Sequence, residues 1–128
     1  MENQKSALGL DGNITVLIGY LIPLVALILI FIEKDNKFVR FHAVQSVLWV
    51  VAMLVLVIVL AVVSVILGIV LSFVSSTLAT LVTGLFFLVY LLWFLAYIGG
   101  LIFGAIKGYG GASFKFPIIG GMAEKWSN

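Results

Sequence analysis

The chain has 128 residues, 64% of them hydrophobic and 9% charged, with a mean hydropathy of +1.33. Soluble domains carry roughly 25% charged residues, and here no Asp, Glu, Lys or Arg falls between Arg40 and Lys107. The 66 uncharged residues from Phe41 to Ile106 exclude a water-facing surface along that length and select lipid as the solvent.

The first thirteen residues set Glu2 and Asp11 against Lys5, which is not the positive leader of a secretory signal. Ile14 to Ile32 then supplies nineteen uncharged, mostly apolar residues. A bilayer about 30 Å thick needs roughly 20 per helix, and the run ends in Glu33-Lys34 rather than in small residues suited to cleavage. It is therefore read as a retained span, with Asn13 as its N-cap and a kink at Pro23 that neighbouring helices absorb.

The segment Glu33 to Lys37 is a polar turn at the membrane surface. The uncharged run after it would be ~100 Å long as one helix. One crossing cannot use that length, and two can. The break is expected among the small polar residues of Ser72 to Thr77, or slightly later toward Gly84.

After Lys107 the chain becomes glycine-rich, and from Phe114 to Ile119 it mixes aromatic, basic and apolar residues. This predicts a tail on the membrane surface with Trp126 near the headgroups. The predicted fold is all-α: an integral membrane protein with three transmembrane helices, at about 14–32, 42–71 and 80–106, and an interfacial C-terminal tail. Residues 1–128 form one membrane domain, with 1–13 extracytoplasmic and 107–128 a cytoplasmic surface tail.

With three spans, Lys34, Lys37, Arg40, Lys107, Lys115 and Lys125 share one side and Lys5 stands alone on the other. The positive-inside rule then puts the N-terminus outside and the C-terminus in the cytoplasm of a multi-pass membrane protein.

Candidate functional residues cluster after the polar turn. His42, Gln45, Ser46 and Trp49 follow helical spacing and form one stripe. Such a stripe is either hydrogen-bonding glue between helices, at about 0.6 kcal/mol per contact, or the polar mouth of a conduit. His42 is the sole histidine and has no ligand-type partners, so neither a metal nor a cofactor is expected, and no catalytic constellation appears. Lys34, Lys37 and Arg40, with Lys115 in the tail, suit anionic lipid headgroups or set topology.

Ala96, Gly100, Gly104 and Gly108 repeat every four residues, a face for close helix packing within the chain or for association with a second copy. Cysteine is absent, which removes disulfides and thiolate chemistry. The pI near 9.0 arises from residues flanking apolar segments, not from a basic stripe, and argues against nucleic acid. The expected function is a non-enzymatic membrane subunit or scaffold, partnered by lipids and by its own copy or another membrane protein. A pore or conduit component is the alternative.

Three stretches carry a family resemblance. The runs Phe31 to Ser46, Leu10 to Ile14, and Lys115 to Lys125, the last with Lys115, Pro117 and Gly120 in a tail motif, resemble small prokaryotic membrane proteins related to the chloroplast protein-import component Tic-twenty. The resemblance spans essentially the whole chain. It implies a prokaryotic plasma-membrane protein of undefined biochemical role with a distant link to protein translocation.

Overall fold

In the structure, a computed structural model that describes residues 4–128, five helices follow one another: α1 (Gly12–Leu21), α2 (Pro23–Ile32), α3 (Lys37–Ser72), α4 (Ser76–Tyr109) and α5 (Ile119–Ser127). Among the described residues there is no strand, only an isolated bridge between Lys5 and Asp11. The chain divides into two compact units. One comprises the residues up to Val51 together with Gly99–Asn128, and the other is Ala52–Ile98.

The first apolar segment is not one span. Pro23 lacks an N–H and drives the preceding residue out of the helical region, and Ile22 accordingly sits at φ −128° and ψ 86°. Pro23 then opens α2 at its first turn, where a missing donor costs nothing. The two ten-residue helices pack on each other. A Cβ added at Gly19 would lie 3.7 Å from that of Ala26, so small residues line their contact.

Each of these helices is only ~15 Å long. The backbone N–H of Ala7, before α1, donates to Glu33 Oε1 after α2 at 2.8 Å. Asn36 Nδ2 donates to the carbonyl of Gln4 at 2.8 Å. Entry and exit of the α1–α2 pair are thus side by side. The expectation of three transmembrane helices is corrected to two, because a segment that returns to its starting point does not cross. Arg40 Nε donates to Ser127 O at 3.1 Å, joining the C-terminal helix to the same group of residues. Asn13 is likewise not the N-cap. Asp11 holds that position, and the Asn13 amide reaches Tyr109 O at 3.2 Å instead.

Helices α3 and α4, of 36 and 34 residues, are long and apolar enough to cross a membrane. They extend beyond the predicted limits, α3 back to Lys37 and α4 on to Tyr109. The turn between them is tight, at residues 73–75, with Ser75 Oγ accepting from the N–H of Leu78 at 3.2 Å.

In the second unit the two helices run antiparallel. Trp93 Nε1 donates to Met53 O at 2.9 Å, and the hydroxyls of Ser64 and Tyr90 lie 2.9 Å apart. Residues set three and four apart, such as Met53, Val57, Leu60 and Ser64 facing Phe86, Tyr90, Trp93 and Tyr97, are the less exposed ones. Leu, Ile, Val and Phe cover the outer faces. In water such a surface would oppose folding at about 25 cal/mol per Å². Facing lipid, it carries no such penalty.

Candidate functional site: a closed polar cluster in the first unit

The stripe of His42, Gln45, Ser46 and Trp49 lies at the start of α3 and meets Tyr20 of α1 and the segment from Ala112 to Phe116. The first three side chains of the stripe are almost fully buried. Their hydrogen bonds form a chain whose direction can be worked out. His42 Nε2 lies 3.0 Å from Ala112 O, a carbonyl that can only accept, so Nε2 carries the proton. Nδ1, 2.7 Å from the Tyr20 hydroxyl, is therefore the acceptor and Tyr20 the donor.

The Tyr20 oxygen accepts from Gln45 Nε2 at 2.8 Å, and the second proton of that amide goes to Phe114 O at 2.9 Å. Gln45 Oε1 accepts from the Phe116 N–H at 3.0 Å. Ser46 Oγ donates to Gly19 O at 3.0 Å. Every polar side-chain atom of His42, Gln45, Ser46 and Tyr20 has an intrachain partner, and among the described residues no buried side-chain nitrogen or oxygen lacks one. Aromatic rings close over the cluster. Trp49 stacks on Phe116 with centroids 4.6 Å apart, and Tyr20 meets Phe116 edge-on at 6.5 Å.

The glycines of α4 make that packing possible. A Cβ at Gly100 would collide with the Trp49 indole, one at Gly104 would sit 2.6 Å from Tyr20 Cε1, and one at Gly108 would strike Val16. Gly100, Gly104 and Gly108 of the four-residue series are thus covered by side chains of their own chain. Ala96, the first member, belongs to the second unit and is exposed.

A second set of contacts binds the polar turn. Glu33, 2% exposed, accepts from the N–H groups of Ala7 and Asn36. Asn36 Oδ1 accepts from Val39 N–H at 3.2 Å, capping α3. The Arg40 guanidinium donates to the carbonyls of Ile30, Glu33 and Ser127 at 2.7, 3.0 and 3.1 Å, which ties the C-terminal ends of α2 and α5 together.

Arg40, which the sequence groups with the headgroup lysines, uses its Nε and Nη1 to donate to backbone carbonyls. Sequence reasoning missed Tyr20, Glu33 and Asn36. A hydroxyl in the middle of an apolar run is the signal for Tyr20, and Asn three residues before the first buried valine of a helix is the signal for Asn36.

The lysines stay outside. Lys34 and Lys37 are exposed and make no ion pair among the described residues, whereas Lys115 pairs with Glu124. Lys37 and Lys115 flank a cavity of about 290 Å³ whose walls include Phe38, Phe41, Ser113 and Glu124. Of the tail motif, Gly120 packs so closely on Lys115 that no Cβ would fit, and Pro117 is exposed. Among the described residues no three His, Cys, Asp or Glu side chains gather to hold a metal ion.

Residues 6–123 match the magnetosome magnetite crystal formation protein family. The chain belongs to that family. It is 36% identical over 129 residues to the UPF0132 membrane protein MJ1443 of Methanocaldococcus jannaschii, covering 96% of this chain and 94% of the relative. A second UPF0132 membrane protein of that organism, MJ1527, is 31% identical over 121 residues, covering 94% and 73% of the two chains. No solved structure matches. These findings correct the resemblance to Tic-twenty relatives: the family matched across the chain is a different one, and none of the matches carries an import-related description.

Proposed function

We propose that this chain is a non-enzymatic membrane subunit of the prokaryotic plasma membrane. Two spanning helices anchor a rigid platform, and that platform meets phospholipid headgroups and a partner membrane protein from the cytoplasmic side. The observation that carries this reading is the closed polar cluster. Groups that could act on a substrate, His42, Tyr20, Gln45 and Ser46, are all engaged in joining α1, α3 and residues 112–116. For the same reason they favour structural glue over a conduit mouth.

The charge pattern supports the orientation. All seven basic residues belong to the first unit, so once the N-terminal pair of helices is no longer a crossing, the positive-inside rule puts both termini in the cytoplasm. Lys37 and Lys115, flanking a cavity with aromatic walls, are the headgroup contacts, each basic residue contributing about 1 kcal/mol near an anionic surface. Family membership brings a membrane setting. The residues gathered here give no support for carrying magnetite chemistry to this chain.

The test uses the absence of cysteine. Leu8→Cys and Asn128→Cys are expected to react with an impermeant maleimide from the cytoplasmic side, and Val74→Cys, in the exposed turn, from the other. Labelling of residues 8 and 128 from opposite sides would overturn the proposal.

A further inference from the structure

Helix α5 has two apolar faces. Gly120, Ala123 and Ser127 are buried, and Ala123 joins Phe41 and Val44 in a core cluster against which Ile30 and Leu48 also pack. Away from that face, Met122 and Trp126 stand one helical turn apart at 37% and 55% exposed, and Ile118, just before the helix, is 84% exposed.

Ile118 is also the only described residue other than glycine with a positive φ, at 66° with ψ −55°. The Ile119 N–H donates to Pro117 O at 2.6 Å across it, so Ile118 is the centre of a γ-turn in its rare, strained form. A β-branched residue is among the worst for this geometry, and glycine is the relaxed choice. The strain is imposed from both sides. Gln45 holds Phe116, and Gly120 is wedged against Lys115. Yet the position that bears the strain carries a large apolar side chain with almost no protein contact.

The geometry points to a membrane-interface wedge: Ile118, Met122 and Trp126 insert into the headgroup and upper acyl region of the leaflet that adjoins the first unit. The occupant is lipid because α5 packs through Ala123 beside Ile30 of α2. The outer side of α2 is itself apolar and open, with Leu24 and Phe31 66% and 69% exposed. Arg40 fixes the ends of both helices to one another. The α5 stripe therefore extends a surface that already requires lipid. An aromatic at one end of a short amphipathic stripe, with Lys125 next to it, matches the chemistry of the interface. Strain at Ile118 persists because insertion of its side chain offsets it.

This inference rests on the membrane reading above, and its test separates the two. Full-length chains carrying Met122→Cys or Gly121→Cys are labelled with a fluorophore and placed in vesicles containing lipids brominated on the acyl chain. An added Cβ at Gly121 meets nothing within 4 Å, so that site is a tolerant control on the neighbouring face. Quenching at residue 122 is expected to exceed that at residue 121 by about twofold or more, as for a half-immersed helix. Adding Ile118→Gly is expected to leave thermal stability in detergent unchanged or raised, while lowering the quenching at residue 122.

Equal quenching at 121 and 122 would overturn the wedge. So would a Met122→Cys chain that crosslinks to a second copy and escapes the quencher. Either result, obtained while residues 8 and 128 still label from one side, sinks the wedge alone.

Discussion

The two units solve the problem of helix association by opposite means. The second, Ala52–Ile98, contains no charged residue and joins its helices through an apolar seam with the Ser64–Tyr90 and Trp93–Met53 hydrogen bonds. Burial of apolar surface gives little net drive in lipid, so shape and a few polar contacts suffice. The first unit holds every charge and a continuous hydrogen-bonded cluster, with aromatic rings seated directly on glycines. One unit tolerates substitution because lipid fills whatever its side chains leave. The other does not, because its gaps are filled by its own residues.

That contrast can be broken by one substitution made twice. Gly104→Leu places a side chain into the Tyr20 ring and is expected to cost about 3 kcal/mol or more, read as loss of folded protein in a thermal or denaturing-detergent titration. Gly68→Leu, where an added Cβ meets nothing within 4 Å, is expected to cost much less. Equal losses would erase the distinction.

A smaller effect separates the hydrogen bonds. Gln45→Leu strands the Phe116 N–H and the Phe114 carbonyl and is expected to destabilise by about 2–3 kcal/mol. Ser64→Ala removes the half-buried contact with Tyr90 and should cost only about 0.6 kcal/mol. Both are measurable in the same titration.

The smallest effect is expected at Lys5→Ala. Its ion pair with Asp11, at 2.6 Å but open to solvent, should contribute no more than about 0.5 kcal/mol. A larger loss would show that the bridge between Lys5 and Asp11 anchors the N-terminal segment more firmly than its exposure allows.

The long helices could be read in advance because an uncharged run of known length leaves few ways to cross a bilayer, and clustered serines mark the turn found at residues 73–75. The helical spacing of His42, Gln45, Ser46 and Trp49 likewise placed them on one face. The partners of that face were not readable, since Ala112 to Phe116 lie about seventy positions away and contribute mainly backbone groups. The first segment was misread for a related reason. Hydropathy counts residues and does not register direction, so a proline flanked by Gly19 and Ala26 looks like a kink in one span. The contacts that reveal a reversal, Ala7 to Glu33 and Gln4 to Asn36, join groups more than twenty-five residues apart. Arg40 was placed by its charge alone, whereas its planar fork suits three carbonyls from two helix ends.

The closing partners of His42 and Gln45 also have a place in time. Both side chains are synthesised early together with Tyr20, and the rest of the groups that satisfy them come from residues 112–116, after α3 and α4 have been made. A nascent chain halted within α4 leaves His42 Nε2, one Gln45 amide proton and Gln45 Oε1 without those partners. Translation of residues 112–116 supplies them.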